Sequence, residues 1–127
     1  MNPVQIQMLL GQGDIVVLEL HGRLSRDEWM DNRDPIASAC GDDIFSRKVM
    51  LSLANANYLD STGVEWLLVS DQKFNDAGGK LVLHSASRTT SDFLKMMRMH
   101  LVLDLVPDEA TARARLMNYS NGSPKNA

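Results

Sequence analysis

Residues 58–64 read YLDSTGV, and this stretch changes from apolar to polar side chains over a few positions. The chain leaves a buried strand near Leu59, whereas apolar residues from Val64 onward recur at helical spacing. A helix that begins here has N–H groups without partners inside the helix, and the side chain of Asp60 or Ser61 can accept hydrogen bonds from them. The stretch therefore predicts a strand-to-helix junction with polar side chains at the start of the helix.

The helix that follows is the best-defined element of the sequence. Val64, Leu67 and Leu68 predict its buried face, and the pair Gly78-Gly79 ends it as glycine commonly ends a helix. Because the free N–H groups and the helix dipole favour an anion at a helix N-terminus, a phosphate on Ser61 would be compatible with the fold.

Apolar segments on either side of this helix predict five strands: Val4 to Leu9, Ile15 to Leu20, Val49 to Leu53, Leu81 to Leu83 and Val102 to Val106. The turn Gly11-Gln12-Gly13-Asp14 joins the first two as an antiparallel hairpin. The third is a short apolar run, which is typical of a central strand covered on both faces. The later strands alternate with helices and so require parallel crossover connections.

Three more helices are predicted. The first lies between Arg26 and Asp43, where Ser25 and Glu28 have capping-box spacing, and Pro35 makes this helix short, kinked or restarted. The others run from Ser91 to His100 and from Pro107-Asp108-Glu109 onward. The predicted fold is a single α/β domain over residues 1–117, with the order β-β-α-β-α-β-α-β-α. A mixed β-sheet of about five strands is flanked by about four helices, and residues 118–127 are expected to form a flexible tail.

Composition limits the function classes. The chain has 127 residues, 44% of them hydrophobic and 23% charged, and it contains no apolar run of the roughly 18 residues that a membrane-spanning helix needs. No secretory signal is recognisable, so we expect a cytoplasmic protein. The formal net charge of −3 argues against nucleic acid as the main partner, and Cys40 is the only cysteine.

The sequence contains no motif for catalysis or for binding a cofactor. His21, His84 and His100 lie far apart, without cysteine or carboxylate at the spacing of metal ligands, so we expect no metal. Ser61 does not lie in a G-x-S-x-G elbow, and Gly11-Gln12-Gly13 lacks the rest of a dinucleotide fingerprint. We therefore expect a binding protein without a cofactor, not an enzyme. A small-molecule or nucleotide-binding enzyme domain is a disfavoured alternative.

Asp60-Ser61-Thr62-Gly63-Val64 resembles the D-S-[ST]-G-[LV] signature of STAS domains of the anti-sigma-factor antagonist type. The element order is also similar, and the resemblance extends from about Val4 to Leu116. It implies that Ser61 is phosphorylated by a partner that is both a serine kinase and an anti-sigma factor, with a phosphatase as a further partner. The unphosphorylated form would bind this partner and free a sigma factor, whereas the phosphate would prevent binding.

The resemblance implies that the partner-binding surface surrounds Ser61 and includes Asp60, Thr62 and Gly63. Two departures from the family pattern fall on or near this surface. The chain reads Gly22-Arg23-Leu24-Ser25 where many relatives carry an acidic residue, and it has Glu65 where a second glycine is common. We therefore expect Ser25 and Glu65 to alter the contact with the partner. The alternative is a STAS module that is never phosphorylated and serves as a constitutive subunit of a transporter or signalling assembly.

Trp66 is open to two interpretations. It lies about 100° around the helix from Leu67, so Trp66 and Val69 are candidates for an exposed apolar patch that anchors the partner. Alternatively, Trp66 packs beneath the first helix, since a flanking helix in a small domain often buries a wide stripe.

Overall fold

The protein is described here by a computed structural model that covers residues 5–12, 14–24 and 35–119. These residues contain six strands and four α-helices, as well as short 3-10 helices at Asp42–Ser46 and Met99–Leu101. The strands are β1 (Gln5–Gln12), β2 (Ile15–Leu24), β3 (Lys48–Ser52), β4 (Ala56–Leu59), β5 (Lys80–His84) and β6 (Leu105–Val106). The helices are α1 (Pro35–Cys40), α2 (Ser61–Asp76), α3 (Arg88–Met96) and α4 (Glu109–Met117).

The sheet has the strand order β1-β2-β3-β5-β6. β1 and β2 pair antiparallel, and the other pairs are parallel, which confirms the predicted mixed sheet. The sequence indicated the end of a buried strand near Leu59, but the five predicted strands did not include it. That strand is β4, which is partly exposed and pairs with the far end of β2, where Leu24 lies opposite Leu59. A four-residue strand with two exposed side chains has no apolar alternation by which it could be recognised.

Two hydrophobic layers cover the sheet because successive side chains of a strand point to opposite faces. On one face, Leu51 and Leu83 belong to the cluster that contains the buried side chains of α1, α2 and α3. On the other face, Met50 and Val82 pack with the apolar side chains of α4. Met50 and Leu51 are both completely buried, so β3 is the central strand that its apolar run predicts.

The region of α3 and β6 differs from the sequence prediction. α3 begins three residues earlier than predicted, because the Ser87 hydroxyl accepts a hydrogen bond from the Thr90 N–H (3.2 Å) and caps the helix. It ends at Met96, after which Arg98 adopts a left-handed conformation with φ 62° and turns the chain into the second 3-10 helix. The predicted strand Val102 to Val106 is accordingly reduced to two residues.

The predicted first helix is confirmed in part. α1 starts with Pro35, which suits the first position of a helix because its missing N–H would have no partner there. The proposed capping box of Ser25 and Glu28 lies outside the described residues. Of the predicted tail, only Asn118 and Tyr119 are described, and the Tyr119 hydroxyl donates to the Gly79 carbonyl oxygen (3.4 Å).

The two glycines after α2 are required for different physical reasons. Gly78 has φ 87° and open space around the position of a Cβ atom, so it serves the left-handed turn that ends the helix. A Cβ atom on Gly79 would lie 2.3 Å from the Phe45 carbonyl oxygen and 2.5 Å from the Arg47 carbonyl oxygen. Gly79 therefore lets β5 begin in direct contact with the backbone that precedes β3.

We expect Gly78→Ala to lower the free energy of unfolding by about 1–2 kcal/mol, because alanine disfavours the left-handed conformation. We expect Gly79→Ala to lower it by about 1–3 kcal/mol, because the added Cβ atom overpacks the contact. Asparagine separates the two causes, because it tolerates the left-handed region but is larger than alanine. Gly78→Asn should recover most of the loss, and Gly79→Asn should recover none of it, in urea unfolding followed by circular dichroism. Equal recovery at both positions would contradict this assignment.

Candidate functional site

The candidate site lies where β2 and β4 end side by side and α2 begins. Because β2 and β4 are parallel, their carboxyl ends meet at one edge of the sheet, and Asp60 links β4 directly to the first turn of α2. This geometry places the residues before and after Ser61 next to the end of β2. The strand-to-helix junction predicted from residues 58–64 is confirmed.

Asp60 caps α2. Its extended backbone precedes the helix, and its Oδ1 atom accepts hydrogen bonds from the N–H groups of Thr62 and Gly63, both at 3.0 Å. The Thr62 hydroxyl donates to the same oxygen (2.5 Å). Two of the free N–H groups at the helix start are therefore satisfied by a side chain of the protein, and Thr62 is held by the cap.

The hydrogen bonds that Asp60 accepts as the cap also affect its charge state. Partial desolvation raises the pKa of this carboxyl group, but the hydrogen bonds from Thr62 and Gly63 and the positive charge of Arg23 outweigh it. The net effect lowers the pKa of Asp60 below its usual value. Asp60 is therefore a fixed negative charge beside Ser61 at neutral pH.

Ser61 is exposed at the first position of α2. Glu65, Val69 and Gln72 are also exposed, and together with Ser61 they follow one another at intervals of three or four residues, so they share one helix face. Since the helix begins at Ser61, Glu65 belongs to its second turn. Ser61, Glu65, Val69 and Gln72 form the surface that we call the exposed stripe.

Gly63 was expected to lie on the partner-binding surface. Its Cα instead faces β2, because a Cβ atom there would lie 2.4 Å from the Leu24 carbonyl oxygen and 2.7 Å from Leu59 Cδ1. Gly63 is buried and thus allows α2 to pack against the end of β2.

Arg23 and Tyr58 form a part of this edge that the sequence analysis did not assign to the site. The Arg23 guanidinium carbon lies 4.4 Å from the centre of the Tyr58 ring, and the two residues are partners in the β2–β4 pair. Tyr58 is 43% exposed. Their juxtaposition depends on the pairing of β4, so no local pattern could have revealed it. Ser25, which was expected to contact the partner, lies outside the described residues.

Trp66 is buried, with 1% of its surface exposed, so the expected exposed patch of Trp66 and Val69 is wrong for Trp66. The buried stripe of α2 includes Gly63, Trp66, Ser70 and Phe74, so it is wider than the predicted face of Val64, Leu67 and Leu68. Leu68 itself is only partly buried. Val69 is 39% exposed and remains available on the exposed stripe.

The described residues contain no group of three or more His, Cys, Asp or Glu side chains that could hold a metal ion. The histidines occupy different environments: the His21 imidazole lies 2.9 Å from a Glu19 carboxylate oxygen, His84 is buried at the end of β5, and His100 is exposed. Within the same part of the chain, no helix is both long enough and apolar enough to cross a membrane.

Comparison with known proteins identifies similar chains. A model of the STAS domain family matches residues 7–112. Among solved structures, a candidate anti-sigma factor antagonist from Thermotoga maritima, tm1081, is 13% identical, with a TM-score of 0.73 over 89% of this chain and 95% of that chain. The unphosphorylated anti-sigma factor antagonist SpoIIAA, a Bacillus protein, is 20% identical, with a TM-score of 0.64 over 91% and 99% of the two chains.

The murine anion transporter Slc26a9 also contains a similar domain. It is 11% identical, with a TM-score of 0.73, and the likeness covers 87% of this chain and 19% of the transporter. Comparison with curated protein sequences found no match. At these identities, the structural likeness concerns the fold.

We expect Asp60→Asn to lower the free energy of unfolding by roughly 0.3–1 kcal/mol at pH 7, because asparagine keeps a capping oxygen but loses the charge at the helix N-terminus. The folded-state pKa of Asp60 is lowered, so the contribution of its charge is present above the unfolded pKa of about 3.9 and is lost as the pH falls through the folded pKa. The difference between the two proteins should therefore disappear in acid. The matched control is Asp76→Asn at the opposite end of α2, where loss of a negative charge should be neutral or stabilising.

We expect Trp66→Ala to lower the free energy of unfolding by about 3–5 kcal/mol, because it removes a large side chain from the core. Val69→Ala, three positions further along the same helix, should change it by less than about 0.5 kcal/mol. Urea unfolding followed by circular dichroism measures both. A small effect of Trp66→Ala would show that the Trp66 side chain does not contribute to the core.

Proposed function

The chain belongs to the STAS domain family, and we propose that it acts as an anti-sigma-factor antagonist, a protein-binding switch controlled by phosphorylation of Ser61. The unphosphorylated protein binds a partner that is both a serine kinase and an anti-sigma factor, and this frees a sigma factor. Phosphorylation of Ser61 by the partner ends the binding, and a phosphatase restores it. The protein itself is not an enzyme, and it works in the cytoplasm.

The observation that carries this proposal is the arrangement of Asp60 and Ser61. Asp60 provides the cap, and Ser61 is exposed at the first position of the helix. A kinase could therefore reach the Ser61 hydroxyl without opening the start of the helix. Thr62 is a poorer acceptor of the phosphate, since its hydroxyl donates a hydrogen bond to Asp60 at 2.5 Å.

A phosphate on Ser61 would change the surface more than the fold. It adds a charge of about −1.5 to −2 to a protein whose formal net charge is −3. The helix dipole favours this charge at the N-terminus by roughly 0.3–1 kcal/mol, whereas Asp60 and Glu65 on either side oppose it by similar amounts. These effects nearly cancel, so the phosphorylated protein would stay folded and present a strongly negative site to the partner.

The partner would contact the exposed stripe and the residues around it. Glu65 and Val69 lie on the exposed stripe, and Tyr58 adds an exposed aromatic ring that is held by Arg23. Thr62 and Gly63 contribute through the shape of the helix start. Ser25 is included in the proposed contact on the resemblance of the sequence alone. Trp66 supports the surface from below, because it is buried.

A second candidate function is a constitutive subunit of a larger assembly. The observation that favours it is the likeness to a domain of the anion transporter Slc26a9, whose TM-score of 0.73 equals that of the Thermotoga maritima protein. In this case Ser61 would carry no phosphate, and the same edge of the sheet would form a permanent contact.

We expect a single phosphate on Ser61 when the protein is purified from its own cells and analysed by intact mass and peptide mapping. Ser61→Ala should abolish this phosphate, whereas Thr62→Val should retain it. A kinase-like partner should co-purify with the unphosphorylated protein and with Ser61→Ala, but not with the phosphorylated form.

A second pair of variants separates charge from shape. Ser61→Asp and Ser61→Asn have nearly the same size, so only Ser61→Asp should lose the partner if charge controls the contact. Absence of phosphate under every growth condition, together with equal partner binding by both variants, would contradict the switch and support the constitutive subunit.

A further inference from the structure

A second feature of the molecule, separate from Ser61, is a cavity at the carboxyl ends of β3, β5 and β6. Its volume is about 220 Å³. Leu53, Leu83 and Leu94 line it, and each of them is exposed by 2% or less over its whole surface. The crevice at the carboxyl ends of parallel strands is a common place for small ligands in α/β proteins.

The polar lining of this cavity is cationic or neutral. Lys95 from α3 and His100 from the second 3-10 helix contribute to it, together with Ser91, and no Asp or Glu belongs to the described residues that line it. Within the described part of the chain, neither Lys95 nor His100 forms an ion pair. The charge of Lys95 is thus free to bind an anion at the mouth of an apolar space.

His84 also lines the cavity, but it does not supply the charge. Burial lowers the pKa of its imidazole, and the carboxylates of Glu109, Asp108 and Glu19 raise it by less. The ring is therefore neutral at pH 7. Its Nε2 atom is shielded from solvent and has no hydrogen-bond partner among the described residues, while Nδ1 lies 2.7 Å from the Ser85 hydroxyl oxygen. Recognition of an anion thus falls to Lys95, with His100 and Ser91 as further hydrogen-bonding groups.

Two carboxylates at the start of α4, those of Asp108 and Glu109, act on the charge of His84, but neither residue lines the cavity. The Glu109 carboxylate accepts a hydrogen bond from the Arg113 guanidinium (2.8 Å). Asp108 follows Pro107, which lines the cavity, but its carboxylate accepts a hydrogen bond from the Thr111 N–H (2.8 Å) and caps α4. Asp108 is not part of the lining. The Asp108 carboxylate is therefore held at the start of α4, whereas the Lys95 side chain lines the cavity.

We propose that this cavity binds a small monocarboxylate, with the apolar body of the ligand inside and its carboxylate at Lys95. The size supports this class of ligand, since a cavity of about 150 Å³ can hold benzene and the present one is larger. An aromatic ring with a short acidic arm, or a medium-length fatty acid chain, would fill it. The apolar wall disfavours strongly hydrated anions such as inorganic phosphate.

The test is a titration of the ¹⁵N-labelled full-length protein with phenylacetate and octanoate, followed by NMR. Amide shifts should change at the residues that line the cavity, with millimolar or better affinity. Phenylacetamide and octanamide, which have the same shape without the charge, should bind more weakly. Shift changes confined to other regions, or equal binding of the acids and the amides, would overturn the proposal.

Matched variants test where the carboxylate and the apolar body of the ligand bind. Lys95→Gln should weaken binding by about two- to fivefold, whereas Arg88→Gln, at the other end of the same helix, should leave it unchanged. Ser91→Leu should fill the cavity and abolish binding, with the NMR spectrum confirming that the variant is folded. Equal weakening by Lys95→Gln and Arg88→Gln, or unchanged binding by Ser91→Leu, would contradict the site. Ser61→Ala should bind phenylacetate normally, so this result is independent of the proposed switch.

Discussion

The close packing of α2 on the end of β2 is the constraint on which the arrangement of the site depends. Only a residue without a Cβ atom fits between the Leu24 carbonyl oxygen and Leu59, and Gly63 is that residue. Because Gly63 lies in the first turn, this contact holds the start of the helix against the end of β2. Asp60 then completes the junction by capping Thr62 and Gly63. Ser61 is left exposed between a capping residue and a buried turn.

This arrangement separates stability from regulation. The cap, the glycine contact and the buried Trp66 hold α2 against the sheet, whereas Ser61, Glu65 and Val69 face outward. A modification on the exposed stripe can therefore alter an interface without removing an interaction that the fold requires. The proposed carboxylate cavity lies at the same edge of the sheet, and its wall residue Leu53 precedes the turn into β4.

Some parts of the molecule were predictable because their physical cause is local. The capping position of Asp60, the glycine end of α2 and the apolar run of β3 each follow from a few neighbouring residues. Other parts were missed because their cause is distant. β4 exists as a strand because it pairs with β2 beyond the region that pairs with β3, and the contact of Arg23 with Tyr58 follows from that pairing.

The sequence by itself determined the mixed sheet, the helix start that carries Ser61 and the order of the strands and helices apart from β4, since periodicity, turn residues and capping residues act over short distances. Only the tertiary structure decided which side chains of α2 are buried. Trp66 and Val69 were equivalent candidates from spacing alone, but the packing of α2 buries one and exposes the other. The cavity at Lys95 likewise exists only because β3, β5, α3 and β6 meet there. Its buried wall is formed by side chains that are neighbours in space but far apart in sequence.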